Sequence, residues 1–123
     1  MSNHRDLAVL EAAELVADQV NRLIDSKPRR LIHTVQLRKA AQSVPANIAE
    51  AFGRGRGRGI ARRPGSERGA DWARTLCTAR GEAEETIRHL RANYESGRLP
   101  RSVFDTLKNR LIVIVRMLDA LIY

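Results

Sequence analysis

Apolar residues recur three and four positions apart in four stretches of this chain, the interval that stacks side chains on one face of an α-helix. Over 6–26 they fall at Leu10, Ala13, Ala17, Val20 and Ile24, flanked by Val9, Ala12, Val16 and Leu23. Glu11, Glu14, Asp18, Arg22 and Asp25 take the other side, so this stretch predicts an amphipathic helix with one buried face. Pro28 ends it by disfavouring helical geometry in Lys27. The second stretch, 31–53, passes through Leu31, Val35, Leu37, Ala41, Val44, Ile48 and Phe52 to a stop at Gly53. Pro45 interrupts it. An interior proline removes one backbone hydrogen bond at a cost of about 3 kcal/mol, but the spacing resumes in register at Ile48, so a bend rather than a break is expected.

The stripe returns over 70–95 at Trp72, Leu76, Ala79, Ala83, Ile87, Leu90 and Tyr94. Gly81 lies on this stretch, and since a mid-helix glycine costs about 0.5–1 kcal/mol relative to alanine, it is expected to mark a close approach by another helix. Gly97 suits the end of this helix and Pro100 the start of the next. The last stretch, 100–122, carries Val103, Phe104, Leu107, Leu111, Ile114, Val115, Leu118, Leu121 and Ile122. With Ile112 and Val113 added, its apolar face is too wide for one seam. Ile112, Val113 and Val115 are therefore expected to face a second subunit, the alternative being a well-buried helix in a monomer. Between the second and third stretches, 54–69 has no apolar period and five glycines, and it predicts a flexible loop. The expectation is an all-α, up-and-down antiparallel bundle of four helices in one domain spanning 1–123.

Composition changes this picture in three places. Aromatics are 4% of the 123 residues, so the core must be built from Leu, Ile, Val and Ala. Cys77 is the single cysteine, which excludes an intrachain disulfide and reads as a small core residue. The polar start and the shortness of every apolar run predict a cytoplasmic protein without a membrane span. Charge matters most. Lys and Arg total 22 against 14 acids, a net +8, and only three of the 22 are Lys. Segment 54–69 alone holds six Arg and one Glu, or five of those eight charges.

Raw material for catalysis is sparse. His4, His33 and His89 are scattered over three segments and read as surface histidines. Glu-x-x-His pairs of the dimetal bundles do not occur, so no metal or other cofactor is expected, and no enzyme activity. The Gly-Arg run lacks the Lys-Ser/Thr ending and preceding strand of a phosphate-binding loop. Glu82, Glu84 and Glu85 sit where Arg88 and Arg91 can pair with them, as on an ordinary helix surface. Asn47 and Glu50 lie among apolar neighbours on the second helix. They read as a polar clamp with Arg80, Glu50 pairing with Arg54 or Arg80 and Asn47 bonding carbonyls that Pro45 leaves open; a functional site is the alternative. The strongest candidate for function is the arginine run. Arg54, Arg56, Arg58, Arg62, Arg63 and Arg68, with Arg38 and Lys39 nearby in sequence, present forks that suit phosphate, whereas the absence of aromatics in the loop argues against base-specific readout. A merely solvated loop is the competing reading.

The stretch from Gln36 through Gln-Leu-Arg-Lys-Ala-Ala-Gln-Ser-Val-Pro-Ala-Asn-Ile-Ala-Glu-Ala-Phe-Gly-Arg to Arg54 closely resembles the signature of the four-helix bundle protein family, also called the 23S ribosomal RNA intervening-sequence protein family. The Arg74–Glu85 segment and the ending Arg116–Ile122 are similar to that family too. Ala51 and Glu82 depart from it, standing where Gly and Ser are usual, and the Arg-Gly repeat lengthens the usual loop. The resemblance implies a ring-like homopentamer, no enzyme activity and an association with RNA rather than DNA. It also implies that a reverse transcriptase or other protein is a possible partner, which makes a protein-docking scaffold the alternative to a nucleic-acid binder.

Overall fold

The computed structural model describes residues 4–57 and 71–123. These form α1 (His4–Ser26), α2 (Thr34–Gly57), α3 (Ala73–Glu95) and α4 (Arg101–Ile122). Consecutive helices pack on one another and α4 closes back on α1. Contacts near their ends fix the directions. Arg38 at the start of α2 bonds Asp25 at the end of α1. Asn93 at the end of α3 bonds Ile32, just before α2. Arg80 in early α3 meets Asp119 in late α4. Each neighbour is therefore antiparallel to the next, and the molecule is an all-α four-helix bundle. None of the described helices is long and apolar enough to cross a membrane.

The core is aliphatic, as the scarcity of aromatics requires. Val9, Val20, Leu37, Ile48, Leu76, Leu90, Leu111, Ile114 and Leu118 are almost completely buried. At about 1.5–3 kcal/mol for each fully buried side chain of this kind, the shared stripe is what holds four individually marginal helices together. Among the aromatics, Phe104 is buried and stacks on Tyr94 with ring centroids 5.0 Å apart.

Helix ends show where local chemistry decides. The α3–α4 turn closes as its glycine predicts: Gly97 takes φ 76°, the left-handed conformation that costs glycine nothing, and the Gly97 and Arg98 N–H groups donate to the carbonyls of Tyr94 and Asn93 at 3.0 and 2.8 Å. Pro100 caps α4 in an extended conformation, one residue before the helix begins. At α2 both ends differ from expectation. Leu31 is buried but not helical, and the helix begins at Thr34 after His33, which adopts φ 57°. The far end passes through Gly53 and continues to Gly57, so the first four residues of the expected loop are helical. The helix is also continuous through Pro45.

Two side-chain expectations are overturned. Cys77 is exposed, because Leu76 faces the core and its neighbour is turned 100° around the helix toward solvent. Gly81 is exposed too, and a methyl group built there meets nothing within 4 Å, so no helix approaches closely at that point.

Candidate nucleic-acid interface

The basic positions that the structure describes lie toward the two ends of α2. Arg54 and Arg56 ride on the last turns of α2, at the bundle end shared with the start of α3; Arg58, Arg62, Arg63 and Arg68 lie outside the described residues. Arg38 and Lys39 are near the other end of α2, and fifteen residues at 1.5 Å each put Lys39 about 22 Å from Arg54 along the axis. Arg38 is also committed elsewhere. It donates to Asp25 Oδ1 at 2.8 Å and to Asn21 Oδ1 at 3.2 Å, binding the start of α2 to the end of α1. Lys39 is exposed and lines a shallow groove of about 330 Å³ between α2 and α3, with Gln36, Gly81, Glu82, Glu85 and His89.

Elsewhere on the bundle, arginine is largely spoken for by its own chain. Arg22 pairs with Asp18, Arg74 with Asp71, Arg88 with Glu85 and Arg101 with Asp105. The hydrogen bond from Arg88 is the main reason the Glu85 carboxyl is held below the ordinary glutamate range. Arg30 and Arg98 bind the two turns at one end of the bundle, each donating to the other's backbone carbonyl at 3.0 and 3.1 Å. Segment 54–69 carries five of the eight net charges, leaving three for the other 107 residues. The net positive charge is thus concentrated, along the sequence, in the segment that begins at the end of α2.

The Arg80 arm of the expected polar clamp takes another partner. Arg80 Nε lies 2.6 Å from Asp119 Oδ1, a charge contact without an aligned N–H, and it joins α3 to α4. Asn47 Nδ2 donates to the Ser43 carbonyl at 2.8 Å, one turn back, whereas the carbonyl that Pro45 leaves open is that of Ala41. Glu50 is exposed on α2. Of the three hydrophobic α4 positions, Ile112 and Val115 are half-buried against the bundle's own core and Val113 is 50% exposed.

Sequence reasoning passed over Asn93. Its side chain is wholly buried and accepts from the Ile32 N–H at 2.7 Å, while its amide donates to the carbonyls of Ile32 at 3.1 Å and His89 at 2.8 Å. This pins the non-helical Leu31–His33 joint to the end of α3. His89 is only 15% exposed in its side chain, sits 2.9 Å from Glu85 and meets the His33 ring edge-on at 5.6 Å, so it belongs to this joint rather than to the open surface. The available signal was positional: Thr86 and Asn93 continue the spacing of Ala79 and Ala83, polar residues on a buried stripe. Among the described residues, no cluster of His, Cys, Asp and Glu could hold a metal ion.

The fold and the sequence define the class: a small antiparallel four-helix bundle with a basic sequence segment between its second and third helices. A solved structure from Bacteroides thetaiotaomicron, a protein of unknown function from the S23 ribosomal protein family, superimposes with a TM-score of 0.80 at 20% identity, over 97% of this chain and 95% of that one. Residues 5–120 match the family model described as 23S rRNA-intervening sequence protein, and the chain belongs to that family. A search of curated proteins finds no match.

Proposed function

We propose that this chain is a non-enzymatic, homo-oligomeric bundle, a pentamer by family resemblance, that binds nucleic acid, RNA in preference to DNA, through the arginine run leaving α2. The observation that carries the reading is the partition of charge. The bundle's own arginines are mostly paired or bonded within the chain, while 54–69 holds six arginines against one glutamate. Guanidinium forks on a glycine-rich segment bind phosphate oxygens without selecting a sequence. The family's name, with its ribosomal RNA intervening sequence, favours RNA. Several copies in one assembly would raise a weak single contact by avidity.

The test compares the wild type with a variant in which Arg54, Arg56, Arg58, Arg62, Arg63 and Arg68 are replaced by Gln. Fluorescence anisotropy with a short single-stranded RNA should show salt-sensitive binding for the wild type and none for the variant, with identical thermal melts. Undiminished binding by the variant would remove the loop from the account. A reverse transcriptase or another protein captured equally well by both chains, without RNA binding by either, would make the chain a docking scaffold or accessory subunit.

A further inference from the structure

The three positive charges left outside 54–69 are not spread over the helices. Residues 25–37 and 92–104 form the end of the bundle where α1 turns into α2 and α3 into α4. They carry Lys27, Arg29, Arg30, Arg98 and Arg101 against Asp25 and Glu95, which is the whole of that net +3. The rest of the chain outside 54–69 holds eleven cations and eleven acids. Two helix starts and two helix ends meet at this turn end, so the backbone dipoles largely cancel and side chains set the sign. Twenty residues at 1.5 Å each put Thr34, at this end, about 30 Å along α2 from Arg54, where the arginine run begins.

The chain leaves most of these cations unneutralised. Lys27, Arg29, Arg30 and Arg98 make no ion pair among the described residues. Arg101 meets Asp105 at 3.5 Å with its side chain 77% exposed, and Asp105 is shared with Lys108 at 3.8 Å. Asp25 is taken by Arg38. Arg30 donates to the carbonyls of Arg98 and Gly97 at 3.0 and 3.3 Å, and Arg98 to that of Arg30 at 3.1 Å. Carbonyls hold a guanidinium in place without cancelling its charge, and these bonds leave Nη1 of Arg30 and Nη2 of Arg98 without a partner among the described residues. Cations fixed in advance lose less freedom when an anion arrives. The anion that fits is phosphate rather than the surface of a protein. Ser26, Pro28, Ser96, Gly97 and Pro100 are exposed among the cations, and Val35 is the one exposed large apolar side chain at this end among the described residues. A protein interface needs an apolar centre depleted of charge.

We infer that the turn end is a second phosphate-binding site for nucleic acid, with Lys27, Arg29 and Arg101 exposed on the turns and Arg30 and Arg98 tying them together. The inference rests on the arginine-run reading above. Alone, the turn end is too weak to capture a strand; it adds to binding once the run holds the same strand. A weak site with a Kd of about 10⁻⁴ M, joined at an effective concentration of about 10⁻³ M, multiplies the affinity about tenfold.

The experiment is fluorescence anisotropy on the full chain with two single-stranded RNAs. One, of about seven nucleotides, has its phosphates taken up by the six arginines of the run; the other, of about 30, also reaches the turn end. Lys27→Gln with Arg29→Gln and Arg101→Gln should bind the short strand like the wild type. It should bind the long strand about tenfold more weakly at low salt, with a salt slope shallower by about 2 for the three cations lost and the thermal melt unchanged. Arg22→Gln with Arg110→Gln and Arg116→Gln removes the same charge from the helix bodies and should weaken long-strand binding far less. Equal losses in the two triple variants make the effect one of net charge and overturn the site. Undiminished long-strand binding by the turn-end variant overturns it too and leaves the run's binding of the short strand standing. A wild type that binds neither strand overturns the arginine-run reading and this one with it. Labelled polyglutamate that binds the wild type as tightly as the long strand, and loses as much in the turn-end variant, assigns the turn end to acidic proteins and overturns the phosphate reading.

Discussion

Replacing Asn93 by Ala removes three hydrogen bonds at once, and two of their partners belong to Ile32 in a stretch that no helix supports. A buried donor left without a partner costs about 1–3 kcal/mol. Ile32 is half-buried, so water recovers part of this for its N–H, and its carbonyl and that of His89 lose less because each retains a second lone pair. With the small cavity added, the loss should be about 2–3 kcal/mol. For a domain of this length, 1 kcal/mol shifts the midpoint of thermal unfolding by roughly 4 °C, so the midpoint should fall by about 8–12 °C. Asn93→Leu separates the causes, since it keeps the volume and removes the polar contacts. Both variants should melt early and to a similar extent by circular dichroism at 222 nm. If Asn93→Leu melts with the wild type, the joint is held by packing and the hydrogen-bond argument fails.

Three further expectations follow from single positions. Gly81→Ala should raise the melting midpoint by roughly 2–4 °C, because a β-carbon there meets nothing and the helix gains about 0.5–1 kcal/mol; a lowered midpoint would mean that the site is not open. Cys77 should react with a thiol reagent in the native protein nearly as fast as after denaturation, since it is exposed, and native protection would place it in an interface. Glu85 is held below the ordinary glutamate range chiefly by Arg88, so its contribution to stability is fully present above that range and is lost as pH falls below it through the lowered native value. Glu85→Gln should therefore melt slightly below the wild type at pH 7, with the gap closing as the pH is lowered into acid, and a gap that widens in acid would contradict the assigned cause.

How much of this was legible in the sequence depends on the kind of signal. The four helices were, because Val9, Leu37, Leu76 and Leu111 lie on stripes whose period leaves no competing strand reading. Their ends were less so. Leu31 looked like the first turn of α2 because it is apolar, yet it is buried in a joint, and spacing cannot distinguish the two. Extension of α2 through Gly53 and Gly55 runs against glycine's helical cost, and arginine, a good helix former, alternates with it there. Cys77 was misplaced by the general tendency of cysteine to be buried, against the local fact that Leu76 already faces inward. Arg38 and Lys39 joined the basic site by sequence proximity, and α2 sets Lys39 about 22 Å along its axis from Arg54. The width of the α4 stripe suggested a second contact, but Ile112 and Val115 spend their apolar surface partly within the bundle. Val113 borders a hollow with Ala12, Leu15 and Val16 of α1, which no reading of α4 by itself can supply.

The central claim is that the arginine run binds phosphate, and the salt dependence of RNA affinity tests it most directly. Each phosphate neutralised on a single strand contributes about −0.7 to the slope of log affinity against log salt, so six engaged arginines give about −4. The account predicts a slope near that value for the wild type, falling toward zero in the six-arginine variant. A shallow slope in the wild type, or a steep one unchanged in the variant, would contradict it.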